Sequence, residues 1–118
     1  MNRLKTFVHA FNGLKLAFSE EPNFRFHILA TALVLILGVY FDIERVDWMI
    51  VIICIGLVVS AELFNTAIEN VCDLITEEHH PRVKKIKDIS AAGVLVISLI
   101  ALIVGLWIYC PYVATLFA

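Results

Sequence analysis

The segment that decides the fold is an apolar run that continues without a break into a polar one: Trp48–Ala61 (WMIVIICIGLVVSA) leads directly into Glu62–Asp73 (ELFNTAIENVCD). The first part has the composition of a membrane-spanning helix. At about 100° per residue, the polar side chains of the second part fall on one face of the same helix. This polar stripe consists of Glu62, Asn65, Thr66, Glu69 and Asp73.

The opposite face of this segment stays apolar, with Leu63, Phe64, Ala67, Ile68 and Val71. A helix that merely emerged into water would not need such a face, although that simpler interpretation remains open. Glu62 lies within about a turn of the hydrocarbon, where an ionised side chain costs on the order of a few kcal/mol. A carboxylate kept there requires a partner, a metal or a chemical role, so the pattern predicts the wall of a site.

The rest of the chain is as apolar as this segment. Its 118 residues are 61% apolar and their mean hydropathy is +0.91, which excludes an ordinary soluble domain. Three apolar runs predict spans at about 24–41, 48–75 (including a cytoplasmic extension) and 88–110. We expect an all-α integral membrane protein with a single membrane-embedded domain over residues 1–118.

The N-terminal segment has a different pattern. Apolar residues recur at helical spacing over about 4–19, with basic and polar residues between them. The segment is too short to span, so we expect an amphipathic helix lying on the membrane surface. The run does not have the form of a secretory signal.

Basic residues predict the orientation. Residues 1–25 hold four Lys/Arg and residues 77–88 hold four, whereas the loop 42–47 holds one. The positive-inside rule therefore places the N-terminus and the second loop in the cytoplasm. A net charge of −2 gives no reason to expect a nucleic-acid partner.

The predicted cytoplasmic ends of the helices gather carboxylates, amides and lysines. This set suits a magnesium ion and the phosphates of a nucleotide. Glu62 and Glu69 are seven residues apart, about 10 Å along a helix, which favours two separate roles. Glu69 would hold the metal, and Glu62 would accept a proton from a lipid hydroxyl during phosphoryl transfer. Since three helices cannot enclose both a lipid and ATP, we expect an oligomer.

The same residues carry a family resemblance. The run 62–69 (ELFNTAIE) with Asp73, the pair Lys87–Asp88 followed by the small residues 90–93, and Glu21 with 23–25 (NFR) resemble the prokaryotic diacylglycerol kinase and undecaprenol kinase family. The resemblance implies a homotrimer in the bacterial inner membrane. Each subunit would have three spans and a surface helix, and the activity would be Mg-ATP-dependent phosphorylation of a lipid hydroxyl at the cytoplasmic face.

The resemblance also implies roles for individual residues. Glu62 matches the catalytic base, and Glu21 and Glu69 match metal-binding glutamates that also contact the nucleotide. The remaining cofactor-binding positions, around the ATP phosphates and in the active site, are Glu78, His80, Lys87, Asp88 and Asn65. Two positions depart from the Gram-negative type, with Asn2 beside Arg3 in place of an ATP-contacting arginine and His9 in place of a tyrosine.

Alternatives remain for the substrate and for the class of function. The segment 21–27 (EPNFRFH) and the pair His80–Pro81 resemble the undecaprenol kinase branch more than the diacylglycerol branch, so we expect undecaprenol, with diacylglycerol as the alternative. From the residues alone, a small oligomeric proton- or cation-coupled transporter and a purely structural subunit also fit. A transporter would show ion-dependent flux without ATP consumption.

Overall fold

The computed structural model describes residues 2–118. The chain forms four α-helices, α1 (Arg3–Glu20), α2 (Pro22–Phe41), α3 (Arg45–Ile75) and α4 (Pro81–Ala114), and ends in a short 3-10 turn, Thr115–Phe117. Three segments are long and apolar enough to cross a membrane: α2, α3 and the stretch Pro81–Phe117. The prediction of an all-α fold with three helices able to span a membrane is confirmed. The exact bounds of the membrane-embedded parts stay predictions.

The sequence explains where α1 ends and α2 begins. Glu21 has an extended backbone (φ −113°, ψ 107°) and Pro22 is the first residue of α2. Proline disfavours a helical conformation in the residue before it, and its fixed φ suits the first helical position. Glu21 therefore lies at a bend between two helices, where its side chain is half-buried.

A tight connection joins α2 to α3. Asp42 adopts a left-handed conformation (φ 50°), and the N–H of the buried Ile43 donates to the carbonyl of Gly38 (3.2 Å). The ring of Trp48 lies against Gly38, where an added Cβ would be 2.6 Å from the ring carbon Cη2. Only glycine therefore permits this close approach of the two helices.

Tyrosines of α4 fasten the same end of the bundle. The hydroxyl of Tyr109 donates to the carbonyl of Val34 on α2 (2.8 Å). The hydroxyl of Tyr112 donates to Asp47 Oδ2 on α3 (2.9 Å) and accepts from the N–H of Glu44 (3.2 Å). The small core of Ile43, Val51 and Tyr109 lies beside these bonds. The three long helices are thus joined at the end opposite to the polar stripe.

Most large apolar side chains face outward, as expected in a protein whose solvent is lipid. α3 packs mainly against α4 and less extensively against α2, and α1 packs against α2. α4 has 34 residues, about 51 Å of helix, whereas the hydrocarbon core is about 30 Å thick. Part of α4 therefore extends beyond the membrane. The placement of α1 on the membrane surface stays a prediction.

Candidate active site

Glu62 lies in the interior of the helix bundle. It is 3% exposed, and within residues 2–118 Glu62 and Asn65 are the only buried polar or charged residues. Both belong to the polar stripe of α3. A buried carboxylate is costly unless it is paired or has a function, so the structure supports the interpretation of the stripe as a site wall.

His27 is the neighbour of Glu62 on the adjacent helix. Its Nε2 lies 3.5 Å from Glu62 Oε2, and the two side chains are 16% and 4% exposed. From the sequence alone His27 received no role in the site, only a place in the segment that separates the two branches of the family. An ionisable side chain inside the first predicted span was the signal that could have identified it.

Asn65 and Glu69 form a pair one turn apart on α3. Asn65 Nδ2 donates to Glu69 Oε1 (3.5 Å), as the i,i+4 spacing allows. Asn65 Oδ1 is buried without a hydrogen-bond partner, and an unsatisfied buried acceptor costs about 1–3 kcal/mol. Its oxygen is therefore available to a ligand.

Carboxylates from two parts of the chain surround this region. Glu21, at the bend between α1 and α2, and Glu69, on α3, both lie within electrostatic range of Glu62. The negative charges of these carboxylates favour a cation in this region. Within residues 2–118, no group of three or more His, Cys, Asp and Glu side chains is arranged so that it could hold a metal ion unaided. A magnesium ion here would therefore complete its ligands with phosphate oxygens and water, as it commonly does.

A second polar group connects α3 to α4. Lys87 Nζ on α4 lies 2.7 Å from Asp73 Oδ1 at the end of the stripe, and Lys84 Nζ lies 2.6 Å from Asp88 Oδ2 along α4. These are exposed ion pairs. The predicted phosphate-contacting residues Lys87 and Asp88 are thus already engaged with opposite charges.

Glu78 and His80 lie in the exposed connection between α3 and α4. The N–H of Glu78 donates to Thr76 Oγ1 (3.1 Å). His80 Nδ1 accepts from the N–H of Arg82 (3.2 Å) and so caps α4. Across the described residues, no hydrogen bond or ion pair joins either side chain to Glu62 or Glu69.

An apolar cavity of about 560 Å³ lies among α2, α3 and α4, and His27 is one of its wall residues. Its other walls are mainly aliphatic, with Phe26, Val34, Val58, Leu95 and Leu99 among them. The carboxylate site thus borders a space that suits a hydrocarbon chain.

Together, the three long apolar helices and the buried carboxylate among them define an integral membrane protein with a buried glutamate–histidine pair inside its bundle. The chain belongs to the prokaryotic diacylglycerol kinase family, whose family model matches residues 8–109. The resemblance found in the sequence is confirmed, and the protein is a lipid kinase.

Individual relatives cover nearly the whole chain. It is 45% identical to the undecaprenol kinase of Bacillus subtilis over 112 residues, covering 94% of this chain and 91% of the relative. It is 32% identical to the diacylglycerol kinase of Helicobacter pylori strain J99 over 113 residues, covering 96% and 85%. Identity to the diacylglycerol kinase of Escherichia coli K12 is 30% over 100 residues, covering 85% and 82%.

Proposed function

We propose that this protein transfers the γ-phosphoryl group of Mg-ATP to the hydroxyl of undecaprenol at the cytoplasmic face of the membrane, giving undecaprenyl phosphate. The observation that carries the proposal is the buried carboxylate of Glu62, whose neighbour His27 lines an apolar cavity in a lipid kinase fold. The higher identity to an undecaprenol kinase supports this substrate over diacylglycerol, whose product would be phosphatidic acid.

Glu62 acts as the general base. Its carboxylate accepts the proton of the lipid hydroxyl while the hydroxyl oxygen bonds to the γ-phosphorus of ATP. The bond from the γ-phosphorus to the bridging oxygen breaks, and ADP leaves with that oxygen. Glu62 then returns its proton to water. The protein otherwise contributes positioning and charge neutralisation, as in other phosphoryl transfers.

Magnesium fits the residues that the site contains. The buried, unpartnered Oδ1 of Asn65 and the carboxylate of Glu69 beside it are oxygen donors of the kind that Mg²⁺ prefers. We assign Glu21 and Glu69 as the metal-binding residues, with Asn65 contributing its oxygen to the bound nucleotide complex. When bound, the ion neutralises charge on the phosphates of ATP.

The remaining assigned residues would contact the phosphates from α4 and the connection before it. Lys87 would leave Asp73 and bind a phosphate instead. The Lys87–Asp73 ion pair is exposed to solvent, so breaking it costs little. Asp88 would leave its partner Lys84 in the same way when the nucleotide binds. Glu78 and His80 lie on the exposed connection and would reach the nucleotide from that side.

The assembly and orientation also belong to this proposal. We propose a homotrimer, because the three long helices of one subunit offer little enclosure for both a lipid and ATP. The N-terminus and the connection 76–80 would face the cytoplasm, in agreement with the distribution of basic residues. Residues 1–118 would act as a single domain, with α1 on the membrane surface.

A phosphoryl-transfer assay tests the proposal. Purified protein in lipid micelles is given labelled ATP and Mg²⁺ with undecaprenol or diacylglycerol in parallel. We expect label in undecaprenol and little in diacylglycerol, and full activity with the matched control Glu44→Gln at the other end of the bundle. Glu62→Gln should label undecaprenol at least about 100-fold more slowly. Preferential labelling of diacylglycerol would change the substrate, and label in neither lipid would overturn the proposal in favour of an ion-coupled transporter.

A further inference from the structure

We propose that His27 is a positioning residue for Glu62, a role that rests on the proposed function of Glu62 as the base. In the neutral imidazole, Nε2–H would donate to Glu62 Oε2, which lies 3.5 Å away. The second carboxylate oxygen then stays free for the lipid hydroxyl. The geometry thus divides the carboxylate into a held oxygen and a reacting oxygen.

Among the described residues, the carboxylate of Glu62 has few hydrogen-bonding or ion-pairing contacts. Within residues 2–118, His27 is the only side chain that forms such a contact with it. Glu62 is 3% exposed, so water cannot easily replace a missing donor. A buried carboxylate without a donor would rotate away or bind a proton, and either change would remove the base.

Carboxylates from two parts of the chain face Glu62. Glu69 from α3 and Glu21 from the bend between α1 and α2 both repel it. The N–H of His27, from α2, lies on the side of Oε2 at 3.5 Å and would offset part of this repulsion as a donor. Without His27, the carboxylate of Glu62 would have no donor to hold it in place against that repulsion.

The imidazole of His27 is itself packed against its neighbours. The ring of Phe26 meets the imidazole edge to face, with centroids 5.7 Å apart and planes at 76°. A side chain that is 16% exposed and packed in this way has little freedom to rotate. It can therefore fix the orientation of a neighbour on another helix.

Two substitutions separate positioning from packing. His27→Phe keeps an aromatic ring of similar size but removes the donor, whereas His27→Gln keeps an amide N–H that can reach the same carboxylate. His79→Gln is the matched control, because His79 is an exposed histidine in the connection before α4. The assay measures kcat for undecaprenol and KM for Mg-ATP in each variant.

We expect His27→Phe to lower kcat roughly 10²-fold, the loss typical of a misplaced reacting group, and to leave KM for Mg-ATP within about twofold. The kcat of His27→Gln should be at least about tenfold higher than that of His27→Phe, because a donor again holds the carboxylate. His79→Gln should behave as the unsubstituted protein. A normal kcat in His27→Phe, or a kcat in His27→Gln no higher than in His27→Phe, would overturn the inference.

The controls keep this test separate from the proposed function. If the unsubstituted protein labels no lipid, the kinase assignment is refuted. If it is active but the His27 variants have an unchanged kcat, only the positioning role is refuted. Thermal unfolding in detergent shows whether each variant folds. If His27→Phe does not fold, His27→Gln decides: activity within about tenfold of the unsubstituted protein supports the role, and a loss as large as that of Glu62→Gln excludes it.

Discussion

Replacing each of the two glutamates of the polar stripe by glutamine should impair a different property, turnover for Glu62 and Mg-ATP affinity for Glu69. Glu62→Gln preserves the shape of a side chain that is 3% exposed, and its amide oxygen can still accept from His27. It cannot take up the proton of a lipid hydroxyl. We therefore expect kcat to fall by about 10²–10⁴-fold, which corresponds to about 2.7–5.5 kcal/mol in the activation free energy.

Glu69→Gln should act on the nucleotide instead. Glu69 lies seven residues further along α3, about 10 Å from Glu62 along the helix axis, so it is too distant to share the proton transfer. Removing its charge leaves Mg²⁺ with one carboxylate fewer beside the oxygen of Asn65. The dissociation constant of Mg-ATP should rise by roughly tenfold or more, equivalent to about 1.4 kcal/mol.

Titration calorimetry of the purified variants with Mg-ATP, together with the phosphoryl-transfer assay, measures both effects. Glu62→Gln should bind Mg-ATP within about twofold of the unsubstituted protein and turn it over far more slowly. Glu44→Gln should match the unsubstituted protein in both measurements. An equal loss of nucleotide affinity in the Glu62 and Glu69 variants would refute this division of roles.

Three further outcomes follow from the structure. Gly38→Ala should lower the free energy of unfolding by about 1–3 kcal/mol, because the added Cβ would meet the rigid ring of Trp48. Thermal unfolding in detergent measures this loss. Gly105→Ala is the control and should lose no stability, because its Cβ would meet nothing within 4 Å. Tyr109→Phe removes the bond to Val34 and should cost about 1–2 kcal/mol in the same measurement; an unchanged midpoint would contradict the assigned bond. Chelating magnesium should abolish both transfer and ATP binding in calorimetry, and ATP binding that survives chelation would exclude the proposed metal-bridged complex.

Much of the fold follows from local patterns. Each predicted span corresponds to a continuous apolar run, and the bend at Glu21 follows from Pro22. Asn65 and Glu69 meet because residues four apart on one helix are neighbours. Features that depend on a single helix were therefore accessible from the sequence.

Contacts between helices were not accessible in this way. The approach of His27 to Glu62 depends on how α2 and α3 are rotated and how closely they pack. The pair Lys87–Asp73 depends on the path of the chain between α3 and α4. A periodic pattern specifies which face of a helix is polar, but not which residue of another helix will lie opposite it. The roles of all the assigned site residues stay predictions: Glu21, Glu62, Asn65, Glu69, Glu78, His80, Lys87 and Asp88.

The tyrosine bonds at one end of the bundle also affect how a large lipid can enter. Tyr109 and Tyr112 tie α4 to α2 and α3 far from Glu62, whereas the lining of the cavity beside His27 is largely aliphatic. Dispersion contacts between aliphatic side chains are exchanged for contacts with a lipid tail at little net cost within a bilayer. An apolar tail can therefore occupy this cavity from the lipid side while the tyrosine bonds keep the three long helices joined.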